Sequence, residues 1–296
     1  MDFVHKRGME RLSSKLYSSN SMLSEPEESV TVSGAPPGFE SAIVCSIWRH
    51  IEASKAAVVP GTVPANVYAC LNVIVNGDVK ICSTSGESLP RIFLTGPFTA
   101  PVKTFASAPL NSLSIVFQPW LLQSWFDLDL ENMVNAIIDA AYVPRLTDPV
   151  VADALKSATS QPNLLESVLK VLSVPSSDSG QKANKMANLL LETQSISETA
   201  SRHDISVRQL ERRFTRNFGL SPKEWLRVKR FEGSLVKLAN DKESLANVAA
   251  DAGYADQSHM TRDYRRATGF TPSQTKEGMS KDKPGYWAFK PAKVMV

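Results

Sequence analysis

The sequence predicts an α+β protein: an N-terminal β-barrel or jelly-roll-like domain, a helical linker, and then an all-α domain with two helix-turn-helix units. Three observations predict this class. Residues 43–118 contain short β-branched runs separated by Pro, Gly and Asn, a pattern typical of strands. After Pro119 apolar residues recur every three or four positions, as in amphipathic helices. Two segments near the C-terminus then repeat each other at an offset of 50 residues.

The N-terminal half is predicted to be a leader followed by a β-rich domain. Residues 1–40 are rich in Ser, Glu, Pro and Gly, so we expect a flexible leader. Residues 41–174 are expected to form a β-rich sensory or dimerisation domain with trailing helices. The strand-like runs are AIVCSIW, VYACLNVIV, VKICST, RIFLTG and LSIVFQ. The helix-like runs are PWLLQSWFDL, ENMVNAIIDAA, PVVADALKSA and NLLESVLKVL.

The C-terminal part is predicted to consist of helices only. Residues 175–181 have the Ser- and Gly-rich composition of a linker. The helical domain is predicted over residues 182–278. The remaining residues, 279–296, are punctuated by Pro and are expected to dock loosely, if at all.

The repeat indicates two helix-turn-helix units. An alanine, Ala200 or Ala249, precedes each turn residue by four positions, and a small side chain there lets two helices cross closely. The turn residues, Asp204 and Gly253, can adopt positive φ and start the second helix at a steep angle. The equivalent positions that follow are Leu210 and Met260, Arg212 and Arg262, Phe214 and Tyr264, Gly219 and Gly269, and Pro222 and Pro272.

A long helix is predicted to connect the two units. Ser221 is placed as its N-cap, with Pro222 in the first turn and Glu224 three residues after the cap. Roughly 17 residues would span about 25 Å, which could hold two recognition helices near the ~34 Å between successive major-groove faces. Gly233 in this helix predicts a close packing contact, since a helical Gly otherwise costs up to ~1 kcal/mol.

Charge divides along the chain in the same way. Residues 1–180 carry 12 Lys/Arg and 17 Asp/Glu, a balance of −5, whereas residues 181–296 carry 21 and 13, a balance of +8. A basic module joined to an acidic one is typical of a DNA-binding part attached to a part that does not touch DNA. The chain has no signal-peptide pattern and no run of about 18 apolar residues, so we expect a soluble, cytoplasmic protein.

Residues 182–277 resemble the DNA-binding domain of the AraC/XylS family of bacterial transcription regulators. The segments that carry the resemblance are SVRQLERRFTRNFGLSPKEWLRVKRF and AADAGYADQSHMTRDYRRATGFTPSQTK. GPFTAPV and LNSLSIVFQPWLLQSWF also resemble the β-rich N-terminal regions of some members. The resemblance implies a double-stranded DNA partner, recruitment or repositioning of RNA polymerase, and activation more often than repression. Three positions depart from the family pattern: Asp204 replaces Gly, Tyr264 replaces Phe, and Thr275 stands where an aromatic-Arg pair is common.

Helical spacing separates the inner and outer faces of the recognition helices, predicted over 206–218 and 256–268. Leu210 and Phe214 face inward on the first helix, as do Met260 and Tyr264 on the second. The outward residues also fall on the family's base-contacting positions. They are Arg208, Glu211, Arg212, Gln257, Ser258, His259 and Arg262. Arg suits guanine, Glu suits cytosine and Gln suits adenine.

A second group of basic residues is assigned to phosphates, which position a protein without reading sequence. The group comprises Arg213, Arg216, Lys223, Lys229, Arg265 and Arg266. The alternative is that these charges only solvate helix faces, and that His259 is an ordinary surface histidine.

The role of the N-terminal domain stays open at this point. Aromatic residues could line an effector pocket, namely Trp48, Phe93, Phe117 and Trp120, or they could be ordinary core. The domain could instead form a homodimer. A DNA-associated enzyme with a catalytic barrel is the remaining alternative. However, residues 41–180 hold one histidine, His50, and the cysteines lie in apolar runs, so no metal, cofactor or catalytic residue is predicted.

Overall fold

The computed structural model describes residues 27–52, 58–82, 87–149, 152–153, 165–166, 168–169, 178–239, 243–281, 283 and 285–289. Within this part the chain forms an antiparallel sheet followed by helices. The strands are β1 (Glu28–Gly34), β2 (Ile43–Ile51), β3 (Val58–Val63), β4 (Ala69–Ile81), β5 (Ile92–Thr95), β6 (Val102–Phe117) and β7 (Ile137–Asp139). The predicted α+β class is therefore confirmed.

Strand β6 organises the sheet. The strand order is β1-β2-β6-β4-β5-β7, and β3 also pairs with β6. Strand β2 pairs with residues 110–117 of β6, whereas β3 pairs with residues 102–107 of the same strand. Strand β4 pairs along both halves. In the described residues β1 and β7 are not paired, so the sheet is jelly-roll-like but is not closed into a barrel.

The structure corrects several of the predicted boundaries. The expected leader over 1–40 contains β1, and residues 1–26 of it lie outside the described part. The run ENMVNAIIDAA is not one helix, because Ile137–Asp139 pairs with β5 as β7. The runs VYACLNVIV and VKICST are joined in β4, where Gly77 has φ +89° between two register shifts. Strand β3 tolerates Pro60 because its described pairing is on one side only.

Short helices cover one end of the sheet. They are α1 (Leu121–Phe126), α2 (Leu130–Met133), a 3-10 turn (Ala140–Tyr142) and α3 (Pro144–Thr147). Phe117 at the end of β6 packs against Trp125 and Phe126 of α1. Most of the runs PVVADALKSA and NLLESVLKVL, and residues 175–177 of the predicted linker, lie outside the described residues.

Seven described helices form the C-terminal part. They are α4 (Asp178–Thr193), α5 (Ile196–Arg202), α6 (Val207–Phe218), α7 (Pro222–Leu238), α8 (Leu245–Asp251), α9 (Gln257–Thr268) and α10 (Pro272–Ser280). Helix α4 begins inside the predicted linker 175–181, which moves the start of the helical part to residue 178. One continuous hydrophobic core extends from the sheet into these helices.

The segment after α10 docks on the sheet, contrary to the expected loose tail. The Thr62 amide of β3 donates to the carbonyl of Gly285 at 3.1 Å. Trp287 lies against Arg49 of β2, with the guanidinium carbon 4.7 Å from its ring centroid. Phe289 is 1% exposed. The described tail residues therefore cover the free edge of β3.

Candidate nucleic-acid interface

The first helix-turn-helix unit consists of α5 and α6. The Ser206 hydroxyl accepts a hydrogen bond from the backbone N–H of Gln209, and the Gln209 side-chain oxygen accepts one from the backbone N–H of Ser206. This capping box fixes the start of α6. Leu210 and Phe214 are fully buried, and Phe214 packs edge-on against Trp225 of α7 at 5.4 Å. These contacts hold the inner face of α6 against α7.

The second unit, α8 and α9, is built in the same way. The Asp256 carboxylate accepts a hydrogen bond from the backbone N–H of His259 at 2.6 Å, so Asp256 is the N-cap of α9. Met260 and Tyr264 are fully buried. The Tyr264 ring packs edge-on against Phe231 at 5.1 Å, and its hydroxyl lies 3.0 Å from Ser234 Oγ. Ser234 of α7 therefore supplies the polar partner that this tyrosine requires.

The turns have the positive-φ geometry that the sequence predicts. Asp204 has φ 52° and Gly253 has φ 75°. Ala200 and Ala249 are each 2% exposed where the paired helices cross. The second turn is one residue longer, since 203–206 separates α5 from α6 and 252–256 separates α8 from α9.

The outward faces of α6 and α9 carry the predicted base-contacting side chains. All of these side chains are exposed except His259, which is half-buried: Arg208, Glu211, Arg212, Gln257, Ser258 and Arg262. Among the described residues, Arg208, Glu211, Arg212 and Arg262 form no ion pair within 4 Å. Each recognition helix therefore has a buried inner face and an outer face free to bind.

The His259 ring is held by its own turn. Its centroid lies 5.2 Å from that of Tyr254 in an edge-on arrangement, and the Ala255 amide donates to Nδ1 at 3.4 Å. Because Nδ1 accepts this bond, Nε2 is the ring nitrogen left to donate. That nitrogen is then a hydrogen-bond donor.

The basic residues divide into two sets. Arg213, Arg216, Lys223 and Arg265 are exposed. Arg266 is exposed but contacts Glu224 of α7 at 3.0 Å. The structure corrects the assignment of Lys229 to phosphate, because its side chain is 17% exposed and its ammonium contacts Tyr68 of the N-terminal domain.

Lys229 belongs to a polar cluster between the sheet and α7. Its Nζ contacts Glu232 Oε2 at 2.8 Å and Tyr68 Oη at 3.0 Å. The Val67 amide donates to Glu232 Oε1 at 3.2 Å. Burial lowers the pKa of Lys229, but Glu232 and Tyr68 outweigh it, so the pKa lies above its usual range. Burial, reinforced by Glu232, raises the pKa of Tyr68 to about 12.

Arg227 forms a second polar cluster on α7. Its Nη2 donates to Glu224 Oε1 at 2.9 Å and to the Thr99 carbonyl at 3.2 Å, while Nη1 lies 3.8 Å from Asp263 Oδ1 of α9. Burial raises the pKa of Glu224, but Arg227 and Arg266 lower it by more than burial raises it. The pKa of Glu224 therefore lies below its usual range. Arg227 thus joins the connecting helix, the second recognition helix and the N-terminal domain.

The N-terminal domain contacts the C-terminal end of both recognition helices. The Ala65 amide donates to the Ala267 carbonyl of α9 at 2.8 Å. At the end of α6, a methyl group added to Gly219 would lie 2.9 Å from the Leu130 carbonyl oxygen. Both ends are therefore fixed relative to the sheet.

A cavity of about 390 Å³ lies between the sheet and α7. Of the four predicted pocket aromatics, Phe93 lines it. The structure corrects the other three assignments. Phe117 is core against Trp125, Trp120 donates from Nε1 to Asn184 Oδ1 at 3.0 Å, and Trp48 packs half-buried on β2 outside the cavity lining.

Sequence reasoning missed the polar residues of this cavity. Arg49, Thr104 and Trp287 line it from β2, β6 and the tail, and Tyr68 and Lys229 line it at the α7 side. An available signal was Arg49 itself, a charged residue directly after the strand-like run AIVCSIW. Cys70 also lines the cavity, and burial raises the pKa of its thiol and of Cys45 to about 12. Both thiols are therefore protonated at neutral pH, a poor state for a nucleophile.

The chain is similar in sequence to known regulators and to a known domain family. A family model described as "Helix-turn-helix domain" matches residues 199–278. The thermoregulatory protein LcrF of Yersinia pestis is 30% identical over 208 residues, covering 68% of this chain and 74% of LcrF. The virulence regulon transcriptional activator VirF of Yersinia enterocolitica is 26% identical over the same shares of both chains. The crystal structure of ToxT from Vibrio cholerae aligns with a TM-score of 0.42 at 12% identity, covering 76% of this chain and 97% of ToxT. In the described residues no helix is long and apolar enough to cross a membrane.

Proposed function

The chain belongs to the AraC family of DNA-binding transcription regulators, and from this premise we propose that its two recognition helices read two adjacent major-groove segments of one duplex. One observation carries the proposal. Helices α6 and α9 bury equivalent inner residues on α7 and expose equivalent polar faces. Helix α7 has 17 residues, which corresponds to about 25 Å between the two units.

The outer faces carry complementary base-reading chemistry. Arg208, Arg212 and Arg262 can fork onto guanine O6 and N7, which discriminates by about 1–3 kcal/mol for a good pair. Glu211 can accept from cytosine N4, and Gln257 can pair with adenine N6 and N7. Ser258 and the Nε2 donor of His259 complete the second face.

The exposed basic side chains around these faces are assigned to phosphates. The assignment covers Arg213, Arg216, Lys223, Arg265 and Arg266. Lys229 is not assigned to phosphate, because its ammonium contacts Glu232 of α7 and Tyr68 of the N-terminal domain. Phosphate contacts position the domain and make binding sensitive to salt.

We assign an activating role, acting on RNA polymerase at a promoter in the cytoplasm. The relative VirF is named a transcriptional activator, and it is similar over about two thirds of this chain. An activator of this kind requires a surface left free once DNA is bound. The sheet domain supplies one, since it contacts the recognition helices at their C-terminal ends and leaves their reading faces open.

The N-terminal domain is assigned to effector binding through the cavity, with homodimer formation as a further role. The cavity volume falls in the range typical of small-molecule sites. Its lining includes Leu191 of α4 and several residues of α7 as well as the sheet. An effector there contacts both parts of the chain at once.

Capture of genomic DNA with the purified full-length chain, followed by footprinting at two salt concentrations, tests the proposal. We expect a preferred site with two protected elements about one helical turn apart. The site should persist at the higher salt while non-specific binding falls. Uniform, salt-sensitive binding with no preferred site would contradict the two-helix reading.

A further inference from the structure

We propose that the cavity binds a neutral, largely apolar molecule by a hydrogen-bond acceptor such as a ketone oxygen, which Arg49, Thr104 and Trp287 hold. This inference rests on the proposed function and names the chemistry of its effector. The three side chains come from β2, β6 and the tail, and all three line the cavity.

The three side chains bring unpaired donors to a buried position. Arg49 is 2% exposed, and its Nε donates to Glu28 Oε1 at 2.6 Å. Its Nη2, together with Thr104 Oγ1 and Trp287 Nε1, is buried and has no hydrogen-bond partner among the described residues. A guanidinium and an indole can only donate, so what they lack is an acceptor. Leaving buried donors unpaired is costly, which favours a ligand that supplies one.

Two of these atoms lie beside the same residue of β3. A methyl group added at Gly61 would lie 2.7 Å from Thr104 Oγ1 and 2.9 Å from Trp287 Nε1, so both polar atoms face this part of the strand. The Arg49 guanidinium carbon lies 4.7 Å from the centroid of the Trp287 ring. The three side chains therefore lie close together in the cavity wall.

The charges around the cavity argue for a neutral ligand. The charged residues that line it are Arg49, Lys229 and Glu232. Arg49 is compensated by Glu28 at 2.6 Å, and Lys229 is compensated by Glu232 at 2.8 Å. A buried carboxylate would add a negative charge, and the described lining residues offer no unpaired cation to balance it, which is expensive in an apolar site.

The other side chains that line the cavity favour a ligand that is apolar over most of its surface. Ile74, Val79, Leu89, Phe93 and Phe98 line the cavity, and four of them are nearly fully buried. A molecule with an acceptor at one end and a ring or short hydrocarbon body matches this division.

Trp287 links such a ligand to the second helix-turn-helix unit. Its neighbour Tyr286 stacks on Phe270, which follows α9, at 5.3 Å. A hydrogen bond from Trp287 to the ligand forms only while the tail is docked on the sheet. The ligand therefore favours the docked arrangement, which couples the cavity to the DNA-binding part.

Equilibrium dialysis of the full-length protein against three molecules of one shape tests the inference. Benzylacetone carries the acceptor, hydrocinnamate carries a carboxylate that is ionised at neutral pH, and isopentylbenzene carries neither. We expect benzylacetone to bind at least about tenfold more tightly than the other two, as one or two buried hydrogen bonds allow.

Two substitutions remove one donor each. Trp287→Phe keeps the ring over Arg49, and Thr104→Val keeps the volume. Each should weaken benzylacetone about fivefold to tenfold and leave isopentylbenzene unchanged. Trp48→Phe, the same change outside the cavity lining, should leave all three affinities unchanged. Tighter binding of hydrocinnamate than of benzylacetone, or a benzylacetone affinity that both cavity variants leave unchanged from the wild type, would overturn the inference. Footprinting without ligand reports the proposed function separately, because a specific footprint can persist when this inference fails.

Discussion

The two helix-turn-helix units share their reading geometry and differ in how they join the N-terminal domain. Both bury an equivalent pair of inner residues on α7 and end at a glycine with positive φ, Gly219 at 73° and Gly269 at 81°. The first unit meets the sheet domain by van der Waals contact between Gly219 and α2. The second is joined by a backbone hydrogen bond to Ala267 and by Arg227. The packing of the recognition helix is therefore repeated in both units, whereas the polar contacts to the N-terminal domain are concentrated in the second unit.

The largest expected effect breaks the shared inner packing. Phe214→Ala should lower the free energy of unfolding by about 3–5 kcal/mol, because it leaves a cavity against Trp225. Tyr264→Phe, at the equivalent position, should cost at most about 1 kcal/mol, since it removes one hydroxyl contact and keeps the ring. Urea unfolding followed by tryptophan fluorescence measures both. Similar losses would show that the two inner faces are not built alike.

The next largest effect tests the polar attachment of the second unit to the N-terminal domain through Arg227. Arg227→Ala should destabilise the protein by about 1–3 kcal/mol, because it removes the cation beside the buried Asp263 carboxylate and one of the two arginines that contact Glu224. Arg213→Ala, an exposed arginine of the first unit, should stay within about 0.5 kcal/mol. Urea unfolding followed by tryptophan fluorescence measures both changes in stability. Equal effects would mean that Arg227 carries no particular coupling.

A smaller effect tests the positioning contacts. Arg216→Ala and Arg266→Ala should each weaken specific and non-specific DNA binding alike. Each should also lower the slope of log affinity against log salt by about 1, as expected for one phosphate contact. Salt titrations on specific and random duplexes measure the slopes. If Arg266→Ala does not change the slope, Arg266 contacts only Glu224 and makes no phosphate contact.

The smallest expected effect concerns the helix between the units. The predicted close contact at Gly233 is wrong: the residue is exposed, and an added methyl group would meet nothing within 4 Å. Gly233→Ala should therefore stabilise α7 by up to about 1 kcal/mol. Thermal unfolding measures this gain. A loss of stability would mean that α7 bends at this residue.

The helical part could be predicted from the sequence because its signals are local. The spacing of Leu210 and Phe214 fixes the inner face of α6, and Ser221 with Pro222 fixes the start of α7. Strand β1 was missed because it lies in a Ser- and Glu-rich segment, and β3 was missed because it contains Pro60. Strand β7 was missed because it has three residues and pairs with β5, a strand far along the chain. The polar lining of the cavity was missed because it also depends on distant partners. Arg49, Thr104 and Trp287 meet only after the sheet has formed and the tail has docked on it.

A footprint of the best site with two matched variants tests the central claim most directly. Arg212 and Arg262 occupy equivalent, exposed positions on α6 and α9. We predict that Arg212→Ala loses protection of one element and Arg262→Ala loses the other, each weakening specific binding by about 1–3 kcal/mol. Loss of the same element in both variants, or no loss in either, would contradict the reading of two adjacent major-groove segments by two helices.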